Sequence, residues 1–211
     1  MLLLLIRHGS TDETAKRLVG RTAAVHLNEA GQLQAEAVVR RLEGVAVDRI
    51  YSSPIERAWE TAAPLATARS LQVEAAEELS EVDYGEWAGQ EFKVLRRNEL
   101  WKRVTRHPAG VQFPGGESLY EAQARAIGWI EHVAAAHPRA TVAAVSHGDI
   151  VRMAVAHVVG LNLDSIQRLA VSPGSVSAVA VRDGSGILLT LNELGSLAAV
   201  LPQPRGRRGQ N

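Results

Sequence analysis

Residues 1–9, Met-Leu-Leu-Leu-Leu-Ile-Arg-His-Gly, decide the fold. Six apolar residues run without a polar interruption and then stop at Arg7, His8 and Gly9. A run this short reads as a strand buried on both faces, the kind found in parallel sheets. It is far too short for a signal sequence or a membrane span. A second stretch repeats the pattern at 141–148, where TVAAVS is followed by His147 and Gly148. Open α/β sheets hold ligands beyond the carboxyl ends of their strands. Two histidines at two such ends can therefore share one crevice.

Outward from these strands the chain alternates. Ala30, Leu33, Ala37, Val38 and Leu42 recur at helical steps after Asn28, a candidate N-cap. VDRIYSS reads as a second strand. SSPIERAWETAAPLATA reads as a helix with Ser53 as cap, Pro54 in the first position and Glu56 completing a capping box. Pro64 is expected to kink or interrupt it. LQVEAAEEL contains a further strand, and EFKVLRRNELWKRV reads as one helix. Ser118 and Glu121 form a second capping box ahead of LYEAQARAIGWIEHVAAA. HGDIVRMAVAHVVG is an amphipathic helix, and VSAVAVRDGSGILLTLNE is a β-hairpin turning at 183–186. The expected architecture is a three-layer α/β/α sandwich with a mostly parallel central sheet.

The chain has 211 residues, 46% of them hydrophobic, which suits a single domain over residues 1–200. Lys and Arg total 23, as do Asp and Glu, so the formal net charge is zero. That balance points away from nucleic acid. The dense basic run, Arg205, Arg207 and Arg208, lies in a stretch at 201–211 that reads as a disordered tail. The chain has no cysteine, which excludes disulfides, zinc thiolates and thiol nucleophiles. A cytoplasmic enzyme with no membrane association is the default expectation. The LLLTLNE strand could pair between two subunits, so a homodimer stays open.

LIRHGST, YSSPIERAWETA, LSEVDYGEWAG, FPGGES and VSHGDIVR, in that order from Leu5 to Arg152, resemble the histidine phosphatase superfamily, also called phosphoglycerate mutase-like. The resemblance implies that His8 attacks phosphorus and becomes phosphorylated. It implies that Arg7, Arg57 and His147 surround the phosphoryl group. Glu81 would protonate the leaving oxygen and then activate water. The acidic stretch alone does not separate Glu81 from Asp83 or Glu86; the family's L-x-E position selects it. The backbone around Gly9 would let phosphate approach, with Thr11, Thr14, Arg21 and Gly148 joining the substrate-binding set. Val19 stands where many relatives have a polar side chain, and Thr14 where many have Asn.

The chemistry agrees with those roles. Phosphoryl transfer depends on positioning and charge stabilisation. Arginine offers a permanently charged planar fork that matches phosphate oxygens. A general acid supplies about 10²–10⁴-fold in rate. Arg7, Arg57 and the two histidines already oppose the phosphate charge, and no metal-ligand motif is present, so neither a metal nor a cofactor is expected.

The expected reaction is hydrolysis of a small phosphomonoester. A phosphoglycerate mutase using the same residues is the alternative. The compact segment between Gly89 and Gly115 favours hydrolysis, because the cofactor-dependent mutases carry a longer insertion there. A non-catalytic phospholigand-binding module is disfavoured by the full set of site residues, and a protein-phosphohistidine phosphatase would need an open, shallow site. The resemblance leaves phosphorylated glycerates and sugars, α-ribazole phosphate, phosphoserine and nucleotide monophosphates as substrates. Residues 14–28 and 85–118 are expected to line the pocket. His26, His107, His132, His137 and His157 read as surface or structural, and the four tryptophans as packing residues.

Overall fold

A computed structural model describes residues 1–182 and 184–201. In chain order its main elements are β1 (Leu2–Arg7), α1 (Glu29–Arg41), β2 (Arg49–Ser52), α2 (Glu56–Arg69), β3 (Val73–Ala75), α3 (Phe92–Leu95), α4 (Glu99–Arg106), α5 (Leu119–Ala136), β4 (Thr141–Ser146), α6 (Gly148–Val158), β5 (Val176–Arg182) and β6 (Ser185–Glu193). The six strands form one sheet in the order β3-β2-β4-β1-β5-β6. β1 to β4 run parallel to one another. β5 runs antiparallel to β1 and forms a hairpin with β6.

The apolar opening run behaves as its composition dictates. Successive side chains of a strand point to opposite faces. Leu4 and Ile6 pack beneath α1 and α2, against Val38, Leu42, Ala62 and Leu65. Leu3 and Leu5 pack beneath α5 and α6, against Ile130, Val133, Val151 and Val155. All four β1 residues are buried, and so are Val142 to Val145 of β4 beside them. The three layers follow from these two strands, each apolar on both faces. A third cluster lies over the site end, where Tyr84, Trp87, Leu95 and Phe113 pack against Ile150 and Met153.

The helix boundaries test the capping expectations. Asn28 caps α1, its side chain accepting from Gly31 N at 2.9 Å. The Ser118–Glu121 capping box starts α5. The box expected at Ser53 does not form. α2 begins at Glu56, and Ile55 caps it with no side-chain bond. Ser53 and Glu56 have other partners: Ser53 Oγ lies 2.8 Å from His147 Nε2, and Glu56 Oε1 accepts from Ala24 N at 3.0 Å. α2 runs through Pro64 without interruption. The single helix expected over 91–104 is two, because Asn98 caps a new start by accepting from Leu100 N at 2.9 Å. Asp183 of the expected hairpin turn and residues 202–211 of the expected basic tail lie outside the described residues. Among the described residues no helix is long and apolar enough to cross a membrane.

Candidate active site

β1, β2 and β4 end side by side, because β4 lies between the other two in the sheet. Arg7 ends β1 and His8 follows it; Ser53 follows β2, with Arg57 on the first turn of α2; His147 follows β4. Glu81 lies in the connection after β3. The parallel register thus brings together residues that are far apart in sequence.

His8 is held in one tautomer. Its Nδ1 lies 2.7 Å from Gly9 O, a carbonyl, which can only accept. Its Nε2 accepts from Arg57 Nε at 3.3 Å. The proton is therefore on Nδ1 and the lone pair on Nε2. Burial, then the charges of Arg57 and Arg7, hold the His8 pKa down to about 3, against the opposing pull of the Gly9 carbonyl. The imidazole is neutral across the physiological range.

His147 is its neighbour, with ring centroids 5.1 Å apart. Arg57 Nη2 lies 3.2 Å from His147 Nδ1, and His147 Nε2 lies 2.8 Å from Ser53 Oγ. An arginine can only donate, so the proton of neutral His147 is on Nε2, facing Ser53. Burial, followed by His8 and Arg57, lowers its pKa well below the ordinary value. The Arg57 Nη2 also donates to Gly20 O at 2.7 Å.

Both guanidinium groups keep unused capacity. Arg7 Nη1 donates to Val171 O at 2.6 Å. Arg7 Nε and Arg57 Nη1 are buried nitrogens with no hydrogen-bond partner among the described residues. Unmet buried donors on charged groups are costly. Their presence beside a neutral histidine suits a site that receives an anion.

Glu81 has the opposite electrostatics. Burial and the nearby charge of Asp149 push its pKa up to about 7, although Val82 N–H, Arg57 and Arg7 pull the other way. Asp149 itself accepts from Tyr84 Oη at 2.6 Å and from Arg152 Nη1 at 2.7 Å. One carboxyl group thus stays part-protonated near neutrality beside two arginines.

Residues 3–194 match the histidine phosphatase superfamily (branch 1). The chain belongs to that superfamily. It is 31% identical over 195 residues to phosphoserine phosphatase 1 of Hydrogenobacter thermophilus, covering 90% of this chain and 91% of the relative. The adenosylcobalamin/alpha-ribazole phosphatase of Escherichia coli is 26% identical, covering 91% and 96%. Among solved structures, the alpha-ribazole phosphatase of Shigella flexneri superposes with a TM-score of 0.82 at 25% identity, covering 93% and 98%. The fold and the phosphatase reading of the sequence both stand on this membership.

Within this histidine phosphatase the expected binding residues divide. Thr11 is buried, with Oγ1 3.2 Å from Thr14 Oγ1; Thr14 Oγ1 also accepts from Thr11 N at 2.8 Å. Gly9 does not present its backbone N–H to the crevice, because that group donates to Thr61 Oγ1 at 3.0 Å. A Cβ on Gly9 would sit 2.5 Å from Gly31 O, so what Gly9 provides is close packing behind His8. Gly148 opens α6, and a Cβ there would lie 3.2 Å from Arg7 Nε. Its bare Cα leaves that guanidinium its room. Arg21, expected as an anion contact, instead donates to Glu81 O at 2.8 Å and Glu117 Oε1 at 2.9 Å.

Several contributors were not singled out from sequence for what they do here. Sequence suggests only a cap for Ser53 and only a pocket-lining place for Glu117, and it gives Thr61, Arg125, Asp149 and Arg152 no role in the site. Position in a motif offered a signal for Asp149 and Arg152, which lie inside VSHGDIVR, and for Glu117 inside FPGGES. Nothing local marks Arg125, whose partners are at least eight residues away.

Proposed function

We propose that the protein hydrolyses small phosphomonoesters, within a single domain over residues 1–200, through a phosphohistidine on His8. The observation that carries the reading is the state of His8: neutral, its Nδ1–H held by Gly9 O and its Nε2 lone pair placed against Arg57. A nucleophilic imidazole needs that nitrogen unprotonated, and the long 3.3 Å bond from Arg57 is the one contact among the described residues that an arriving phosphorus must displace.

In the first step His8 Nε2 bonds to phosphorus, the ester P–O bond breaks, and Glu81 gives its proton to the leaving oxygen. In the second, water attacks phosphorus and ionised Glu81 takes its proton. The N–P bond then breaks, phosphate leaves and neutral His8 returns. A carboxyl with pKa near 7 serves both directions, which is what acid–base catalysis at neutral pH asks of one group. Arg7 and Arg57 oppose the charge on the transferring oxygens, with His147 beside them. Thr11 and the first turn of α6 at Gly148 complete the seat.

The named relatives point to phosphoserine or α-ribazole phosphate as the kind of ester to screen. Hydrolysis is preferred to mutase transfer because the segment between Gly89 and Gly115 is compact, containing α3, α4 and a short turn at Pro108–Gly110.

The test is phosphate release from phosphorus-labelled p-nitrophenyl phosphate in excess EDTA, with enzyme quenched in alkaline detergent, where phosphohistidine survives, and assayed for protein-bound label. Wild type should turn over and trap the label, and His8→Ala should do neither while melting cooperatively. Turnover near wild type in His8→Ala would remove His8 as nucleophile.

A further inference from the structure

The Glu81 carboxylate accepts from Val82 N at 3.0 Å, inside its own stretch of main chain. No hydrogen bond from another side chain reaches it among the described contacts. Its place in the crevice therefore follows from the place of its backbone. That backbone lies in an irregular connection, after the turn at Glu77–Leu79.

Two guanidinium groups converge on this segment. Glu81 O accepts from Arg21 Nε at 2.8 Å and from Arg125 Nη2 at 3.1 Å. Glu117 lies between the two cations. Arg125 grips it as a fork, with Nε to Oε2 at 3.1 Å and Nη2 to Oε1 at 2.8 Å. Arg21 Nη2 reaches the same Oε1 at 2.9 Å, and Asp83 N donates to it at 2.8 Å. The remaining Arg125 nitrogen, Nη1, donates to Glu78 O at 2.5 Å. Arg125 thus holds the chain at 78 and 81, and Glu117 holds it at 83.

We propose that Arg125, acting with Glu117 and Arg21, is the positioning residue of the acid–base carboxyl. It fixes where Glu81 presents its proton by clamping the Glu81 carbonyl to α5. Arg125 is the anchor of the three. It sits on an 18-residue helix packed under the sheet, whereas Arg21 lies in an exposed loop. Its side chain is 19% exposed against 40% for Arg21, so its bonds are less screened by solvent. A planar fork is required, because one residue must meet a carboxylate edge and two carbonyls together. A lysine offers a point charge and cannot do so.

The inference rests on the reading of Glu81 as general acid, and the experiment separates the two. kcat/KM is measured for p-nitrophenyl phosphate, whose leaving group needs little protonation, and for phenyl phosphate, whose leaving group needs more. Arg125→Met should lose about tenfold more on phenyl than on p-nitrophenyl phosphate, the scale expected of a misplaced catalytic group. Placed in a Glu81→Gln background, the same substitution should add less than about twofold, since coupled residues are non-additive. Arg21→Met and Glu117→Gln, milder changes to the same clamp, should show the same selectivity on a smaller scale, and they carry the test if Arg125→Met does not fold. Equal losses on both substrates, or a loss undiminished in Glu81→Gln, would overturn the positioning role. If Glu81→Gln alone shows no leaving-group selectivity, the general-acid assignment falls and the clamp falls with it. A selective Glu81→Gln beside unselective clamp variants removes the clamp alone.

Discussion

Arg57 donates from Nε to His8 Nε2 at 3.3 Å, so the guanidinium that would bind the phosphoryl group rests on the nitrogen that would attack it. The same side chain touches His147 through Nη2 and leaves Nη1 with no hydrogen-bond partner among the described residues. One planar group thus orders both imidazoles before any ester arrives. Burial of that group is tolerable because Gly20 O and two ring nitrogens accept from it.

Arg57→Lys keeps the charge and loses the fork. We expect kcat/KM for p-nitrophenyl phosphate to fall by about 10²–10³, the scale of removing one transition-state donor. Circular dichroism and melting should stay close to wild type. Activity within a few-fold of wild type would show that charge alone suffices at position 57.

The pH profile of kcat/KM on phenyl phosphate should fall on its alkaline side through about pH 7. The raised Glu81 pKa places the protonated, proton-giving form below that value and its loss above it. His8 protonates only near pH 3, so it adds no acid limb between pH 5 and 8. Glu81→Gln should abolish the alkaline limb and leave a lower, flatter profile. An unchanged limb in that variant would assign it to another group.

Gly148→Ala and Gly31→Ala should separate catalysis from stability. A methyl at 148 would meet Arg7 Nε at 3.2 Å, a side chain able to give way slightly. Reduced activity with a near-normal melting temperature is expected. A methyl at 31 would sit 2.1 Å from Ser10 O, a backbone atom with nowhere to go. There we expect roughly 1–3 kcal/mol of destabilisation, typical of overpacking, read from urea melts. The reverse pattern would contradict these contacts.

How much of this was legible in the sequence depends on the range of each interaction. β1 and β4 declared themselves because a strand buried on both faces must be apolar at every position. The box at Ser118 was legible because both partners lie within four residues. The same local rule failed at Ser53. Its hydroxyl had a better use in His147, 94 residues away, and no local pattern encodes that. Glu81 could not be told from Asp83 or Glu86 by composition. The fold separates them: Asp83 accepts from Gly85 N within its own loop, Glu86 is exposed, and Glu81 lies in the field of Arg7, Arg57 and Asp149. Arg21 was legible as a cation, but its bonds to the Glu81 carbonyl and the Glu117 carboxylate were not, because those partners come from positions 81 and 117.

The contact between Gly9 and Gly31 bears on how this scaffold can be diversified. The loop carrying His8 and the first turn of α1 touch backbone to backbone, with a Gly9 Cβ denied by Gly31 O and a Gly31 Cβ denied by Ser10 O. Neither position can be enlarged alone, and enlarging both only doubles the obstruction. Any randomised library for altered substrate range should hold 9 and 31 fixed as glycine. Variation belongs instead at residues 22, 23 and 25, beside Ala24 and Leu27, whose backbone N–H groups Glu56 and Glu60 of α2 hold. That backbone tether lets those side chains be exchanged without moving the nucleophile.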